Sequence, residues 1–177
     1  NTACTSAANG LLYAARLITA GQYARALVLS FETPSAIAMQ GFGALMLTSP
    51  SGQYRPFHPE RDGLLLGEAY AAVLLSREPG DAPLARLLGG FSACDTSSLT
   101  TTREDGSHIH WVMQQALRSA GCTAEQIDLV KLHGTATSAN DEAENNGMRL
   151  LYGEQMPALS LLKPWLGHTL GACGLSE

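Results

Sequence analysis

The chain has 177 residues, 45% hydrophobic and 15% charged, long enough to bury a sizeable core. A net charge of −5, with Lys131 and Lys163 the only lysines and no basic cluster interleaved with aromatics, argues against nucleic acid as a partner. No apolar run reaches membrane-spanning length and no basic-then-apolar leader is seen, so a cytoplasmic protein is expected.

Cys4, Cys94, Cys122 and Cys173 lie far apart without CxxC spacing, which fits neither a disulfide framework nor a zinc site. The chain starts without Met just ahead of one helical pattern and stops inside another, so a piece of a longer protein is expected.

Residues 1–18 carry Ala, Leu or Ile at half of their positions, densest from Leu11 to Ile18, which predicts a helix apolar almost all round and buried in a core. Cys4 falls at its start among Thr2, Thr5 and Ser6, residue types that cap helices. Unpaired N–H groups and the helix dipole would favour a thiolate there. A buried structural cysteine is the plain alternative. Gly21 closes the helix, and Arg25–Glu32 reads as a strand whose continuous apolar run predicts a sheet covered on both faces. Residues 33–45 are ambiguous, 49–52 form a turn and 56–67 an irregular link.

Ala69–Ser76 is a second buried strand, and 85–93 a third, weakened by Gly89 and Gly90. A polar surface loop over 95–106 precedes a helix at Ser107–Ala120, with Ile109, Val112, Met113 and Leu117 on one face and Gly121 ending it. Thr123 and Gln126 fit a capped turn. A fourth strand over 127–132 leads into His133-Gly134-Thr135-Ala136-Thr137. A helix follows at about 141–152, capped by Ser138 or Asn140, and a fifth strand at 158–162 releases Lys163 and Gly167-His168. This alternation predicts an α/β fold with crossover connections.

His133 and His168 each stand just past a predicted strand and before a helix, the edge where α/β sheets bind ligands. If their strands are neighbours, both imidazoles converge. His58, His108 and His110 sit on loop or helix-surface positions without such a setting. Thr135 and Thr137 alternate on an extended segment, so both hydroxyls could face one groove or merely satisfy turn backbone. Asp141 and Glu144 lie a helical turn apart and could share a face. Glu144 and Lys163 flank the two histidine segments, and a partly buried ion pair between them is one reading; ordinary surface charges are the other.

Four motifs occur in order: Thr2-Ala3-Cys4-Thr5-Ser6; Arg55-Pro56-Phe57 with Arg61-Asp62-Gly63 and Gly67-Glu68; His133-Gly134-Thr135-Ala136-Thr137 with Asp141 and Glu144; Lys163 with Gly167-His168-Thr169. Together they closely resemble the β-ketoacyl-[acyl carrier protein] synthases, the elongating condensing enzymes of fatty-acid and polyketide synthesis. The resemblance implies a layered α/β, thiolase-like fold with a buried central helix. Residues 1–84 would be the end of its N-terminal half and 85–177 the start of its C-terminal half. It also implies decarboxylating condensation of an acyl thioester with malonyl-acyl carrier protein.

By resemblance, Cys4 is the acyl-accepting nucleophile and its backbone N–H one oxyanion donor. His133 and His168 hydrogen-bond the malonyl thioester carbonyl as neutral imidazoles. Lys163 and Glu144, with Asp141, support the site, and Thr135 and Thr137 contact the carrier's phosphopantetheine arm. No separate cofactor or metal is implied. The implied partners are acyl carrier protein and a second copy or a second ketosynthase-like subunit. Leu64, Ala69 and His58 depart from the family's frequent Phe, Gly and Asp. Family members continue to a Gly/Phe-rich loop that gives the other oxyanion donor, so the chain alone is expected to be inactive. Two other classes compete: a non-catalytic condensing-enzyme-like subunit, disfavoured by the retained Cys4, and a Cys-His thioester hydrolase, which leaves Lys163 and one histidine unexplained.

Overall fold

The structure, a computed structural model, describes residues 2–98 and 102–177. A 3-10 turn at Ala3–Thr5 leads into helix α1, Ser6–Thr19. The turn is closed by hydroxyls: Thr5 Oγ1 donates to the Thr2 carbonyl at 2.8 Å, and the Asn9 amide donates to Thr2 Oγ1 at 2.8 Å. The Arg77 guanidinium caps the other end of α1 on the carbonyl of Ile18. Burial of α1 is a stripe of Ala7, Ala14 and Ile18, whereas Tyr13 is exposed. The expected all-round burial is thus not met: small residues bring one face onto a sheet, and little covers the opposite face among the described residues.

That sheet pairs strand β1, Arg25–Glu32, with strand β2, Ala69–Ser76, antiparallel and in register from Arg25↔Ser76 to Glu32↔Ala69. Its inner face meets α1, with Gly10 packed against Val28. Its outer face leaves Leu27, Leu29, Phe31, Tyr70 and Leu74 each more than 60% exposed. The two-sided cover expected from the apolar runs is therefore absent among the described residues. Between the strands, helix α2 at Ala36–Ala44 resolves the ambiguous stretch, its first turn capped by the Ser35 side chain.

Residues 85–93, expected as a third strand, form no strand. A Cβ on Gly89 would sit 2.6 Å from the Ser119 backbone. The Gly90 N–H donates to the Ser119 hydroxyl at 3.3 Å. The segment is wedged against a helix instead of entering a ladder. In the polar loop, residues 99–101 lie outside the described residues, and Asp95 accepts from the backbone N–H groups of Ser97 and Arg103.

Helix α3 spans Ser107–Ala120, as its periodicity predicts, and Thr123 with Gln126 forms the capping box of a short 3-10 turn. Strand β3, Leu129–Lys131, helix α4, Ser138–Tyr152, and strand β4, Ala158–Ser160, make a parallel crossover unit. The cap of α4 differs from expectation. Thr137 is its N-cap residue and offers no side-chain bond. The Asp141 carboxylate in the first turn takes the backbone N–H of Ala136 at 3.1 Å instead.

The irregular link 56–67 ties the two sheets together. The Gly63 N–H donates to the Ala136 carbonyl at 3.0 Å, the His168 N–H to the Leu65 carbonyl at 2.7 Å, and the Gly67 N–H to the His168 carbonyl at 3.0 Å. Gly67 and Gly167 face one another so closely that a Cβ on Gly167, itself at φ +74°, would lie 2.9 Å from Gly67 Cα. The chain closes with two short helices, α5 at Lys163–Leu166 and α6 at Cys173–Ser176, separated by a 3-10 turn at Leu170–Ala172. No helix among the described residues is long and apolar enough to cross a membrane.

Candidate active site

Cys4, His133 and His168 arrive on three separate elements, and their sulfur and ring nitrogen atoms all lie within 4.8 Å of one another. The two imidazoles meet edge to face, with ring centres 5.2 Å apart and planes at 84°. β3 ends two residues before the first histidine, and α5 ends two residues before the second. The parallel pairing of β3 with β4 brings them to the same sheet edge.

Both rings are held neutral. Burial, followed by the positive charge of Lys163, lowers His133 to about 3 and His168 to about 4. In His168 the Nδ1 atom accepts the Leu170 N–H at 3.3 Å, so in the neutral ring the proton sits on Nε2. A metal-ligating histidine instead donates its second nitrogen to a neighbouring acceptor. Among the described residues this triad is the set that could hold a metal. The bond to Leu170 nonetheless suits His168 to donating a hydrogen bond toward an oxygen.

The thiol does not behave as its place before a helix suggests. Burial, with a smaller contribution from Cys173, raises Cys4 to about 11, and Lys163 offsets only part of that. Desolvation outweighs the helix end, and the sulfur rests as a thiol rather than the expected thiolate.

Lys163 is fully buried and pairs with Glu177, its Nζ 2.8 Å from Oε2; Lys131 contacts the same oxygen. The expected Glu144–Lys163 ion pair is not made. Glu144 turns the other way, accepting the N–H of His133 at 2.6 Å and of Gly134 at 2.8 Å. Its reach is set by α4, whose first turns point back at the loop after β3. Asp141 does share that face: it accepts the N–H groups of Ala136 and, at 2.7 Å, Phe57, with Arg61 nearby at 3.8 Å. Thr135 and Thr137 do face one groove, their hydroxyls 2.9 Å apart.

Sequence reasoning missed Glu177. A helical segment carrying a carboxylate nine residues beyond His168 was the available signal, hidden because its partner Lys163 precedes that histidine. It also missed Tyr54, whose hydroxyl donates to the Gly134 carbonyl at 3.2 Å, and Cys173, whose thiol touches the Cys4 backbone.

A half-buried thiol, two imidazoles kept neutral and a buried lysine–glutamate pair thus meet on one mixed α/β scaffold. The chain belongs to the β-ketoacyl synthase family: residues 1–80 match "Beta-ketoacyl synthase, N-terminal domain" and residues 84–177 match "Beta-ketoacyl synthase, C-terminal domain". It is similar to the 3-oxoacyl-[acyl-carrier-protein] synthase 2 of Vibrio cholerae, 34% identical over 191 residues covering all of this chain and 46% of the relative. The chain thus spans about half the length of the curated relatives it matches. Among solved structures, it resembles a ketosynthase (ApeO) in complex with its chain length factor (ApeC) from Xenorhabdus doucetiae. The TM-score is 0.91 and the identity 36%, covering 98% of this chain and 42% of that one. A type II PKS acyl-carrier protein in complex with its ketosynthase also matches, with TM-score 0.87 and 26% identity over 97% of this chain and 45% of that one. The fold is thiolase-like, present in part.

Proposed function

We propose that the protein carrying this chain is a condensing enzyme. It would join an acyl thioester to malonyl-acyl carrier protein with loss of CO2, giving a β-ketoacyl-acyl carrier protein. The observation that carries this reading is the convergence of Cys4, His133 and His168 within 4.8 Å. In the first step Cys4 takes the acyl chain from its carrier; its proton passes to the departing carrier thiol, so no standing thiolate is needed. In the second, CO2 leaves the malonyl group and negative charge collects on the thioester oxygen. Neutral imidazoles are suited to donating there. The enolate carbon then attacks the acyl-Cys4 carbonyl, whose oxygen the Cys4 backbone N–H would help to hold, and the Cys4 sulfur leaves.

Lys163 supports this chemistry electrostatically: after burial, its charge is the next largest influence keeping protons off both rings. Glu177 compensates that charge. Asp141 and Glu144 are assigned to orient the histidine loop, and Thr135 and Thr137 to meet the phosphopantetheine arm. The partner would be an acyl carrier protein, as in the solved carrier–ketosynthase complex, with a second copy or a ketosynthase-like subunit completing the assembly. We place it in the cytoplasm, with residues 1–84 and 85–177 belonging to successive halves of the parent fold.

The test is CO2 release and β-ketoacyl product from the full-length protein with acyl and malonyl carriers. His168→Ala is expected to slow CO2 release by about 10²–10³-fold. Full CO2 release from that variant would contradict the assigned role. Hydrolysis of the acyl thioester without condensation would favour a thioester hydrolase.

A further inference from the structure

We propose that Cys173 is a positioning residue for Cys4, an inference that rests on reading Cys4 as the acyl acceptor. Cys173 opens α6 and is 3% exposed, and its thiol donates to the Cys4 carbonyl oxygen at 3.0 Å. Nothing in its sequence setting marks it out from the other scattered cysteines.

The geometry around this bond explains its importance. The segment from His168 to Gly174 lies directly on the Cys4 turn: a Cβ on Gly174 would sit 2.6 Å from the Ala8 nitrogen. A Cβ on Gly171 would stand 3.7 Å from the Ala3 carbonyl oxygen. The Gly171 N–H is anchored on Glu32, at the end of β1, at 3.2 Å. Ala3 holds φ +51°, a left-handed conformation that costs a non-glycine residue energy and persists where surroundings fix it. The peptide that follows Cys4 takes the Cys173 bond on its carbonyl, from the same segment that carries His168. One thiol thus ties the main chain of Cys4 to the segment that carries the imidazole five residues upstream of it. An aliphatic residue at this position could fill the volume without holding the carbonyl, whereas a hydroxyl could hold it.

The experiment follows transfer of a radiolabelled acyl chain from its carrier to the full-length protein, alongside CO2 release from a malonyl carrier. Cys173→Ala is expected to slow labelling about fivefold, equivalent to ~1 kcal/mol. CO2 release should change less than about twofold, since the imidazoles themselves are untouched. Cys173→Ser should restore labelling to within about twofold of the parent, because a hydroxyl also donates. Cys173→Val keeps the volume without the donor and should be as slow as Ala, which separates loss of the hydrogen bond from loss of packing. Labelling of Cys173→Ala and Cys173→Val at the parental rate, or a Ser variant as slow as they are, would overturn the inference. So would a fall in CO2 release by the same factor, which marks a general structural defect. Label that survives Cys4→Ala would instead overturn the reading of Cys4 on which the inference rests.

Discussion

The two sides of the site are held by different physics. On the histidine side, Asp141 and Glu144 project from one helix and take the backbone N–H groups of His133, Gly134, Ala136 and Phe57. Buried carboxylates thus act as a template for the loop, fixing His133 through its main chain. On the cysteine side, exposed hydroxyls close the Cys4 turn, and α1 lies on a sheet whose other face is uncovered among the described residues. Cys4 is placed by close packing and a few weak bonds. The His133 loop is therefore held by hydrogen bonds, whereas Cys4 depends on what packs against it.

The sharpest way to break this contrast is Asp141→Ala. It strips acceptors from two backbone N–H groups and leaves Arg61 without its buried partner. We expect a loss of about 3 kcal/mol, read as a fall in the urea midpoint of the full-length protein. A loss below ~1 kcal/mol would remove the template from the account.

A second effect comes from acid. The folded-state values of His133 and His168, about 3 and about 4, lie below the ordinary 6.5. Between pH 6 and pH 4 the unfolded chain binds more protons than the folded one. The stabilisation is therefore complete above pH 6.5 and drains away as pH falls. The slope should approach ~1.4 kcal/mol per pH unit for each imidazole, and His168→Asn should remove about half of it. An unchanged slope in that variant would show that the ring is not kept neutral by the fold.

The thiol gives a smaller, kinetic effect. With Cys4 raised to about 11, its alkylation by iodoacetamide should climb about tenfold per pH unit from pH 7 to pH 10. A plateau reached near pH 7 would mean a standing thiolate. Smallest of all, Thr5→Ala and Phe31→Ser on the exposed cysteine side should each shift stability by less than ~0.5 kcal/mol. A larger loss would show that this side is as tightly built as the other.

The parts legible in the sequence were those governed by local pattern. The helix at Ser107–Ala120 follows from four apolar residues at helical spacing, and the pair of histidines from their places after strands. What escaped depends on partners distant in the chain. Residues 85–93 have strand composition, but Gly89 and Gly90 meet α3 and α1 rather than a ladder. The outer faces of β1 and β2 read as buried from their apolar runs, and nothing among the described residues covers them. Lys163 was paired with the wrong carboxylate, since Glu144 is claimed by backbone N–H groups that charge counting ignores. The thiolate expected at Cys4 fails for a similar reason: a helix end is visible in sequence, but desolvation is not.

Acyl-adduct mapping on the full-length protein tests the account most directly: incubate it with acyl carriers, digest, and weigh the peptide containing Cys4. The account predicts one thioester-linked acyl group on that peptide, absent in Cys4→Ala and discharged on adding malonyl carrier. An adduct on another residue, or one that malonyl carrier cannot discharge, would contradict it.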